Sequence, residues 1–366
     1  MTDRQKVYTE VMRTLKDLLK GQKQGHVVTL AMMITGIVMS KKAQLSVMSS
    51  EVPHWAKSAS VEKRMHRFVK NQRVDAQVYY MPFAKALAAA LANQPLVLAM
   101  DGSQVGRGCM TLMVGVIYKQ RALPLAWIVY RGKKGHTTAD KHIEVLELVQ
   151  PLLPPEAEII LLGDGEYDNV DMLQWVEAHT NWHFVVRTAK SSLVHFGGYL
   201  FPLSVLPIAP DKFLVLEDVL FTQEAAYAPL LAMAYWELDY EEPIYLLTNL
   251  ADAEPASAYY KRRYRLETLF SDQKSRGFHI HKSHISDPKR INRLLLAACL
   301  SFIWMIYLGL SVIAEGQTGL IDRTHRRDKS LFRLGLDWFK HHLKWGWALP
   351  VRFDLPPQLI FHENVR

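Results

Sequence analysis

Residues 96–103 read LVLAMDGS and residues 159–166 read IILLGDGE, and these two stretches decide the predicted fold. Each is a short, nearly pure apolar run that ends in an aspartate followed by glycine, a pattern typical of a buried strand and its turn. Ligands of open α/β sheets lie at the carboxyl ends of strands, so we expect Asp101 and Asp164 to face one cleft. Turn capping is the alternative explanation for either aspartate alone, because Asp-Gly is common in turns.

The neighbouring sequence extends this pattern into an α/β order. Further strands are predicted over 110–118, 123–131 and 182–187, and helices over 138–153 and 170–179. Together with the first two strands they give the order β-β-β-α-β-α-β. Hairpin-linked strands followed by alternating helices and strands predict an α/β fold with a mixed sheet.

The first 93 residues are predicted to be helical, with a third helix over 60–69 that has Ser60 as its N-cap and a fourth over 79–93. Six Lys or Arg residues and one acid lie within 57–73. This excess makes the region a candidate DNA-binding domain, and a solvated helix face is the alternative. The candidate contact residues are Lys63, Arg64, Arg67, Lys70 and Arg73.

Two later segments differ in charge. Residues 217–254 contain nine acids and no Lys or Arg, which makes them a poor surface for nucleic acid, whereas 260–293 carry ten Lys or Arg against three acids. Short β-like pieces are predicted over 195–201, 212–221, 230–238 and 243–250. The predicted domains are a helical DNA-binding domain (1–93), the first part of a catalytic core (94–187), a β-rich insertion (188–254), the second part of the core (255–315) and a basic C-terminal tail (316–366).

A third carboxylate, Glu267, is the only acid between residues 255 and 271. Tyr260, Arg263, Glu267 and Lys274 are predicted to share one face of a helix that starts near residue 258. A surface helix with i,i+4 charge pairs is the alternative. Three carboxylates in one cleft would bind Mg²⁺ or Mn²⁺, and two such ions can activate a water or a 3′-hydroxyl for in-line attack on phosphorus.

The spacing of these four residues is similar to the Y-x2-R-x3-E-x6-K signature of the IS4-type DDE transposases. The resemblance covers about 95–315 and implies an RNase H-like core, a mixed sheet with helices on both faces, interrupted by the β-rich insertion. It implies that Asp101, Asp164 and Glu267 are the catalytic metal ligands, for two ions of Mg²⁺ or Mn²⁺. It also implies that Tyr260, Arg263 and Lys274 contact DNA phosphates near the cut.

Two further sets of residues are candidates for DNA contact. In related enzymes an aromatic residue of the insertion stacks on a flipped base, and some of them release the element through a DNA hairpin. The resemblance suggests Trp236 for this role, with Trp182 second, and a core tryptophan explains Trp236 equally well. Lys133, Lys134 and His136 form a basic loop, for which a solvated hairpin tip is the alternative.

These features predict an insertion-sequence transposase that hydrolyses phosphodiesters at terminal inverted repeats and joins the 3′-hydroxyl to target DNA. The expected partner is double-stranded DNA, bound by a homodimer. A metal-dependent nuclease without strand transfer is the alternative, and the three intact carboxylates argue against a DNA-binding protein with a decayed site. The sequence contains no GxxxxGK[S/T] phosphate-binding loop, so no ATP requirement is expected.

Cysteine content and hydropathy bear on the compartment. Two cysteines exclude a disulfide scaffold, and a reduced, cytoplasmic, nucleoid-associated setting is expected. The uncharged run over 294–313 has 20 residues, which is long enough to cross a bilayer. We expect a helix buried behind the sheet and no membrane partner, because an apolar helix beside the Glu267 region has a core to cover.

Overall fold

A computed structural model of the chain describes residues 1–53, 57–133, 135, 137–323 and 328–360. The strands in this part are β1 (Leu96–Gly106), β2 (Cys109–Tyr118), β3 (Arg121–Arg131), β4 (Ile159–Gly163), β5 (His183–Thr188), β6 (Leu193–Phe196), β7 (Tyr199–Pro202), β8 (Lys212–Phe221), β9 (Tyr227–Trp236) and β10 (Ile244–Thr248). The α-helices are α1 (Asp3–Leu18), α2 (Gln24–Ser40), α3 (Leu45–Ser50), α4 (Ser58–Lys70), α5 (Ala76–Leu91), α6 (Ala139–Val149), α7 (Val170–His179), α8 (Glu254–Tyr260), α9 (Arg265–Gln273), α10 (Pro288–Ala314), α11 (Leu331–Lys344) and α12 (Pro357–Ile360).

The first five strands form the part of the sheet that positions the site. Their order is β3-β2-β1-β4-β5, with β1, β2 and β3 antiparallel and with β4 parallel to both β1 and β5. Each parallel connection contains a helix, α6 before β4 and α7 before β5. All residues of β2 and β4 are buried, which explains why these strands are continuous apolar runs. The predicted fold class, a mixed α/β sheet with helices and a helical N-terminal region, is confirmed.

The strands of the 188–254 segment extend the same sheet. β10 pairs antiparallel with β5, and β9, β8, β6 and β7 follow in that order. The single strand predicted over 195–201 is wrong, because Gly197 and Gly198 form a tight turn between β6 and β7. Both glycines have positive φ, 58° and 83°, the backbone form that a two-residue hairpin turn requires. The division into domains stays a prediction.

α10 is the central helix of the core. It packs against α11, α2, α4, α5 and β3. It is long and apolar enough to cross a membrane, yet 94% of its most apolar 18-residue window is buried inside the protein. Length and composition are the same for a membrane helix and a core helix, so packing decides between them. The arrangement is the buried helix that the sequence predicts.

The segment predicted as a basic tail contains α11, which crosses α10 at close range. A Cβ atom on Gly335 would lie 1.8 Å from the carbonyl oxygen of Met305, and one on Gly309 would lie 2.1 Å from that of Leu331. The backbones therefore approach each other as closely as glycine allows. Trp338 on α11 is fully buried. Within this segment, α11 belongs to the core.

The N-terminal helices begin earlier than predicted. α4 starts at Ser58 with Lys57 at the N-cap and no side-chain capping bond, so the prediction of Ser60 as N-cap is wrong. α5 starts at Ala76 and is capped by Asp75, whose carboxylate accepts hydrogen bonds from the backbone N–H groups of Gln77 and Val78.

Candidate active site

The register of the central strands brings Asp101 and Asp164 to the same level. Ala99 on β1 is the partner of Leu162 on β4, and each aspartate lies two residues further along its strand direction. β1 continues to Gly106, beyond the Asp101-Gly102-Ser103 end that the sequence predicts, because its pairing with β2 continues past Asp101, which lies opposite Met113. β4, the parallel partner of β1, ends at Gly163. Both carboxylates therefore lie where the parallel pairing of β1 and β4 stops.

Glu267 comes from α9, which packs against β1, β2 and β3. The single helix predicted from residue 258 is wrong. α8 ends at Tyr260, residues 261–264 form a turn, and α9 begins at Arg265. Arg263 therefore lies in the turn and Lys274 at the C-cap of α9. Their side chains converge because the turn and the sheet bring them together, and not because they share one helical face.

The guanidinium of Arg263 lies between the three carboxylates. Its Nη1 atom is 3.7 Å from Oδ2 of Asp101 and 3.8 Å from Oδ2 of Asp164, and its Nη2 atom donates a hydrogen bond of 2.8 Å to Oε1 of Glu267. The side chains of Asp101 and Arg263 are 6% and 15% exposed, whereas that of Glu267 is 57% exposed. The structure thus brings the predicted triad together around one cation.

Backbone hydrogen bonds fix the two aspartates. Oδ1 of Asp101 accepts the N–H of Gly102 at 2.7 Å, and Oδ1 of Asp164 accepts the N–H of Glu166 at 3.0 Å. In each case this leaves the Oδ2 atom on the side of Arg263. The carboxylates are therefore held in one orientation before any ligand arrives.

The other two members of the signature lie beside the triad. Burial raises the pKa of the Tyr260 phenol, against the positive charges of Arg263 and Arg187, which lower it. The ammonium of Lys274 donates a hydrogen bond to Oγ of Ser103, which is two residues beyond Asp101 on β1. Residues two apart on a strand point to the same face. Lys274 is thereby held next to the carboxylates.

The donor set fits a divalent cation of the magnesium type. Asp101, Asp164 and Glu267 offer carboxylate oxygens, the ligands that Mg²⁺ and Mn²⁺ prefer. Around Arg263 the three are not close enough to one another to form a ready metal cluster, and no such cluster of His, Cys, Asp or Glu occurs elsewhere in the described ranges. Asp101, Asp164 and Glu267 are the residues that would hold the ions.

A buried pair behind the aspartates was not predicted from the sequence. The rings of Tyr167 and His142 lie 4.8 Å apart, and their polar atoms (the hydroxyl and both ring nitrogens) have no hydrogen-bond partner among the described residues. Burial lowers the pKa of His142 to about 4, against Glu166 and Asp164, which raise it. The ring of His142 is therefore neutral at pH 7. Tyr167 follows the second Asp-Gly pair closely, which is the only sequence signal for it.

The basic residues of α4 divide into two groups. Lys63, Arg67 and Lys70 are exposed, as is Arg73 just after the helix. Arg64 is half-buried, and its Nε atom donates to Oγ1 of Thr29 at 2.9 Å, so that it ties α4 to α2. DNA contact by the exposed residues stays a prediction. In the loop after β3, Lys133 is exposed, and Lys134 and His136 lie outside the described residues.

Trp236 ends β9 and is half-buried. Its Nε1 atom donates to the carbonyl oxygen of Tyr240 at 2.9 Å. Its ring lines a cavity of about 210 Å³ together with Phe213 and with Ser257 of α8. Trp182, in contrast, is 5% exposed and belongs to the core. A role for Trp236 in base flipping stays a prediction.

Two cavities lie beside the aspartates, and only the first has a cationic wall. One of about 460 Å³ lies beside Lys274 and is lined by Gln104, Gly106, Arg107, Lys274, His281, Lys282 and His284. The other, of about 410 Å³, lies beside Asp164 and includes Arg187 and Lys190. In the first cavity the lining contains no carboxylate. The second cavity has three carboxylates, Asp164, Glu166 and Glu242, against Arg187 and Lys190, and Lys190 is paired with Glu242 at 2.6 Å.

The mixed sheet thus brings two strand carboxylates, Asp101 and Asp164, beside one helix carboxylate, Glu267, and these are the three residues that the resemblance to the DDE transposases implies to be metal ligands. Residues 74–304, more than half of the chain and including all three carboxylates, match the family described as Transposase DDE domain. The chain belongs to this family. The chain is similar in structure to the piggyBac transposase synaptic complex with hairpin DNA, determined by cryo-EM. The identity is 10% and the TM-score 0.47, over 94% of this chain and 80% of that one. No curated protein sequence matches the chain.

Proposed function

We propose that the chain is an IS4-type transposase of an insertion sequence. It binds terminal inverted repeats as a homodimer on DNA, hydrolyses a phosphodiester at each element end, and joins the freed 3′-hydroxyl to target DNA. The observation that carries this proposal is the convergence of Asp101, Asp164 and Glu267 on one cationic point at the open edge of the sheet. The family supports the reaction class.

The chemistry follows from the groups around that point. Two Mg²⁺ or Mn²⁺ ions held by the triad would activate the attacking water or hydroxyl and stabilise the leaving oxygen. Tyr260, Arg263 and Lys274 lie within reach of the same edge and offer an O–H and two cationic N–H groups to phosphate oxygens. Charge-assisted hydrogen bonds to phosphate fix the register of a DNA strand without reading its sequence.

The cationic cavity beside Lys274, together with Arg187 in the cavity beside Asp164, suggests the path of the DNA backbone. A strand whose scissile phosphate lies over Asp101 and Asp164 passes Lys274 and Arg107 on one side and Arg187 on the other. Phosphate neutralisation at such points supplies most of the sequence-independent binding energy. In this arrangement the cavity beside Trp236 would hold a flipped base. The exposed residues of α4 would bind the inverted repeat. The reaction takes place in the cytoplasm, at the nucleoid, and uses no ATP.

A nuclease without strand transfer is the second candidate, because both enzymes need the same three carboxylates. One experiment distinguishes the nuclease from the transposase. A plasmid that carries the two DNA ends flanking the gene is incubated with the protein and Mg²⁺, and the products are analysed. The transposase produces molecules in which the element is joined to new DNA. Nicked or linear products alone would favour the nuclease.

Glu267→Gln tests the site itself. We expect cleavage to fall below detection while DNA binding persists, because glutamine can still accept the hydrogen bond from Arg263 and lacks only the negative charge. Cleavage is followed on end-labelled DNA and binding by gel shift. Glu147→Gln, an exposed acid on α6 outside the triad, is the matched control and should cleave like the wild type. Cleavage by Glu267→Gln at the wild-type rate would remove Glu267 from the site.

A further inference from the structure

Arg263 lies where the three carboxylates would otherwise face one another. It is the nearest cation to each of Asp101, Asp164 and Glu267 for which an ion pair is described, at 3.7, 3.8 and 2.8 Å. Arginine keeps its charge at every pH at which proteins fold. The guanidinium is therefore a permanent positive charge at the centre of the triad.

The contacts of its two terminal nitrogens are unequal. Nη2 makes a normal hydrogen bond to Glu267, whereas Nη1 is buried and has no hydrogen-bond partner in the described part of the chain. Distances of 3.7 and 3.8 Å to the aspartates are too long for hydrogen bonds and correspond to electrostatic attraction alone. The guanidinium thus stabilises the aspartates by charge without being locked to them.

The surrounding charges require such a counter-ion. Like charges that share a site disfavour one another's ionised form. The guanidinium of Arg263 forms a described ion pair with each of Asp101, Asp164 and Glu267. Arg263 is the group that offsets the mutual repulsion of the carboxylates.

Few hydrogen bonds hold the side chain of Arg263 in place. The residue lies in the turn between α8 and α9, where its N–H is bonded to the carbonyl oxygen of Tyr260 at 2.9 Å. The one side-chain hydrogen bond described for its guanidinium that movement must break is the bond to Glu267. A phosphate on the neighbouring surface would offer the guanidinium two acceptor oxygens in return for the carboxylates.

We propose that Arg263 is the resident counter-ion of the triad. It offsets the negative charge of Asp101, Asp164 and Glu267 in the metal-free protein and gives up this place when divalent cations bind. The proposal rests on the proposed metal-dependent function. It predicts that Arg263 and the metal compete for the same carboxylates, so that loss of Arg263 strengthens metal binding even though it harms the reaction.

Mn²⁺ titration of the full-length protein without DNA tests the competition. Calorimetry or electron paramagnetic resonance gives the affinity of the wild type, of Arg263→Gln and of Arg263→Lys. We expect Arg263→Gln to bind Mn²⁺ about tenfold more tightly, which corresponds to a competing interaction of ~1.4 kcal/mol. Arg263→Lys keeps the charge and should remain close to the wild type. The matched control is Arg262→Gln, since Arg262 lies in the same turn and interacts with Arg265 and Tyr259.

Thermal unfolding provides a second readout. Without metal, Arg263→Gln should unfold at a lower temperature than the wild type, because the carboxylates lose their counter-ion, and saturating Mn²⁺ should reduce this difference. If Arg263→Gln does not fold, the Nε–H NMR signal of Arg263 in the wild type decides the question. Saturating Mg²⁺ should shift it, and an unmoved signal would overturn the proposal.

The outcomes separate this proposal from the proposed function. Equal Mn²⁺ affinity in the wild type and folded Arg263→Gln, or weaker binding in the variant, overturns the counter-ion role and leaves a metal-dependent site standing. Absence of Mn²⁺ binding in both proteins overturns both proposals. Tighter binding in Arg263→Gln but not in Arg262→Gln supports the counter-ion role.

Discussion

Asp272 is a second buried acid with an arginine beside it, and it lies on the helix that carries Glu267. It is 2% exposed, and its Oδ2 atom is 3.5 Å from Nη1 of Arg121 at the start of β3. The pair connects α9 to the sheet and so contributes to the placement of Glu267. Breaking one partner of such a pair leaves a buried charge, which is strongly destabilising.

The pH dependence of this pair has a definite sign. Burial raises the pKa of Asp272 to about 6 from its ordinary 3.8, against Arg121 and Arg276, which lower it. A raised pKa in the folded state means that the folded protein binds the proton more tightly than the unfolded chain. The contribution of Asp272 to the free energy of unfolding is therefore fully present below the unfolded-state pKa and is lost as the pH rises through about 6.

Asp272→Asn should remove this dependence. We expect the free energy of unfolding of the wild type to fall relative to that of the variant as the pH rises from about 4 to about 6, by up to ~1.4 kcal/mol per pH unit. Urea denaturation at a series of pH values measures the difference. Two curves that stay parallel over this range would contradict the raised pKa.

At the scale of elements, the crossing of α10 and α11 depends on two glycines. The helices contact each other backbone to backbone at Gly309 and Gly335, and the aromatic rings of Phe302 and Phe332 stack beside this contact at 5.4 Å. Because core packing has no spare volume, even one methyl group at the crossing must displace a backbone.

Gly335→Ala should therefore destabilise the protein, by about 1–3 kcal/mol as for other overpacked sites. Its Cβ atom would meet the carbonyl oxygen of Met305 at 1.8 Å. Gly25→Ala on α2 is the matched control, because a Cβ atom there has no neighbour within 4 Å, and it should be neutral or slightly stabilising. Chemical denaturation compares the two. Equal stabilities would mean that the helices separate without cost.

Element prediction succeeded where the pattern is local. Residues 170–179 and 212–221 were predicted residue for residue as a helix and a strand, since apolar spacing and flanking turn residues are local signals. The helix predicted from residue 258 failed because the turn at 261–264 leaves helical periodicity intact in the sequence. A helix break without proline or glycine has no strong local signal, so tertiary contacts decide it.

At the scale of the whole molecule, the net charge of +8 is the sum of unlike regions. Exposed cations lie on α4 and around the site, whereas the acids of 217–254 lie on and around β8, β9 and β10. Two of these acids are paired with cations from elsewhere in the chain, Glu237 with Lys261 and Glu242 with Lys190. The acidic segment thus neutralises two cations, Lys190 and Lys261, in the part of the chain that the structure describes.

The α4 surface should contribute to DNA binding through charge. We expect Lys63→Gln and Arg67→Gln to weaken binding and to reduce the slope of log K against log salt by about 0.9 for each phosphate that the variant no longer neutralises. Fluorescence anisotropy on element-end DNA measures the slope. Arg64→Gln serves as the comparison with these two variants. It should lower the free energy of unfolding, because it removes the hydrogen bond from Arg64 to Thr29. An unchanged slope in the Lys63 and Arg67 variants would place the DNA elsewhere.

The sequence by itself determined the strands that carry Asp101 and Asp164, the isolated carboxylate of Glu267 and the helical character of the first 93 residues. Those features are local, since apolar periodicity and turn residues act between near neighbours. Only the tertiary structure decided that Arg263 lies among the three carboxylates, that the strands of 188–254 continue one sheet, and that α10 is buried by protein. Each of these depends on contacts between residues far apart in the chain, for which the same local pattern permits more than one outcome.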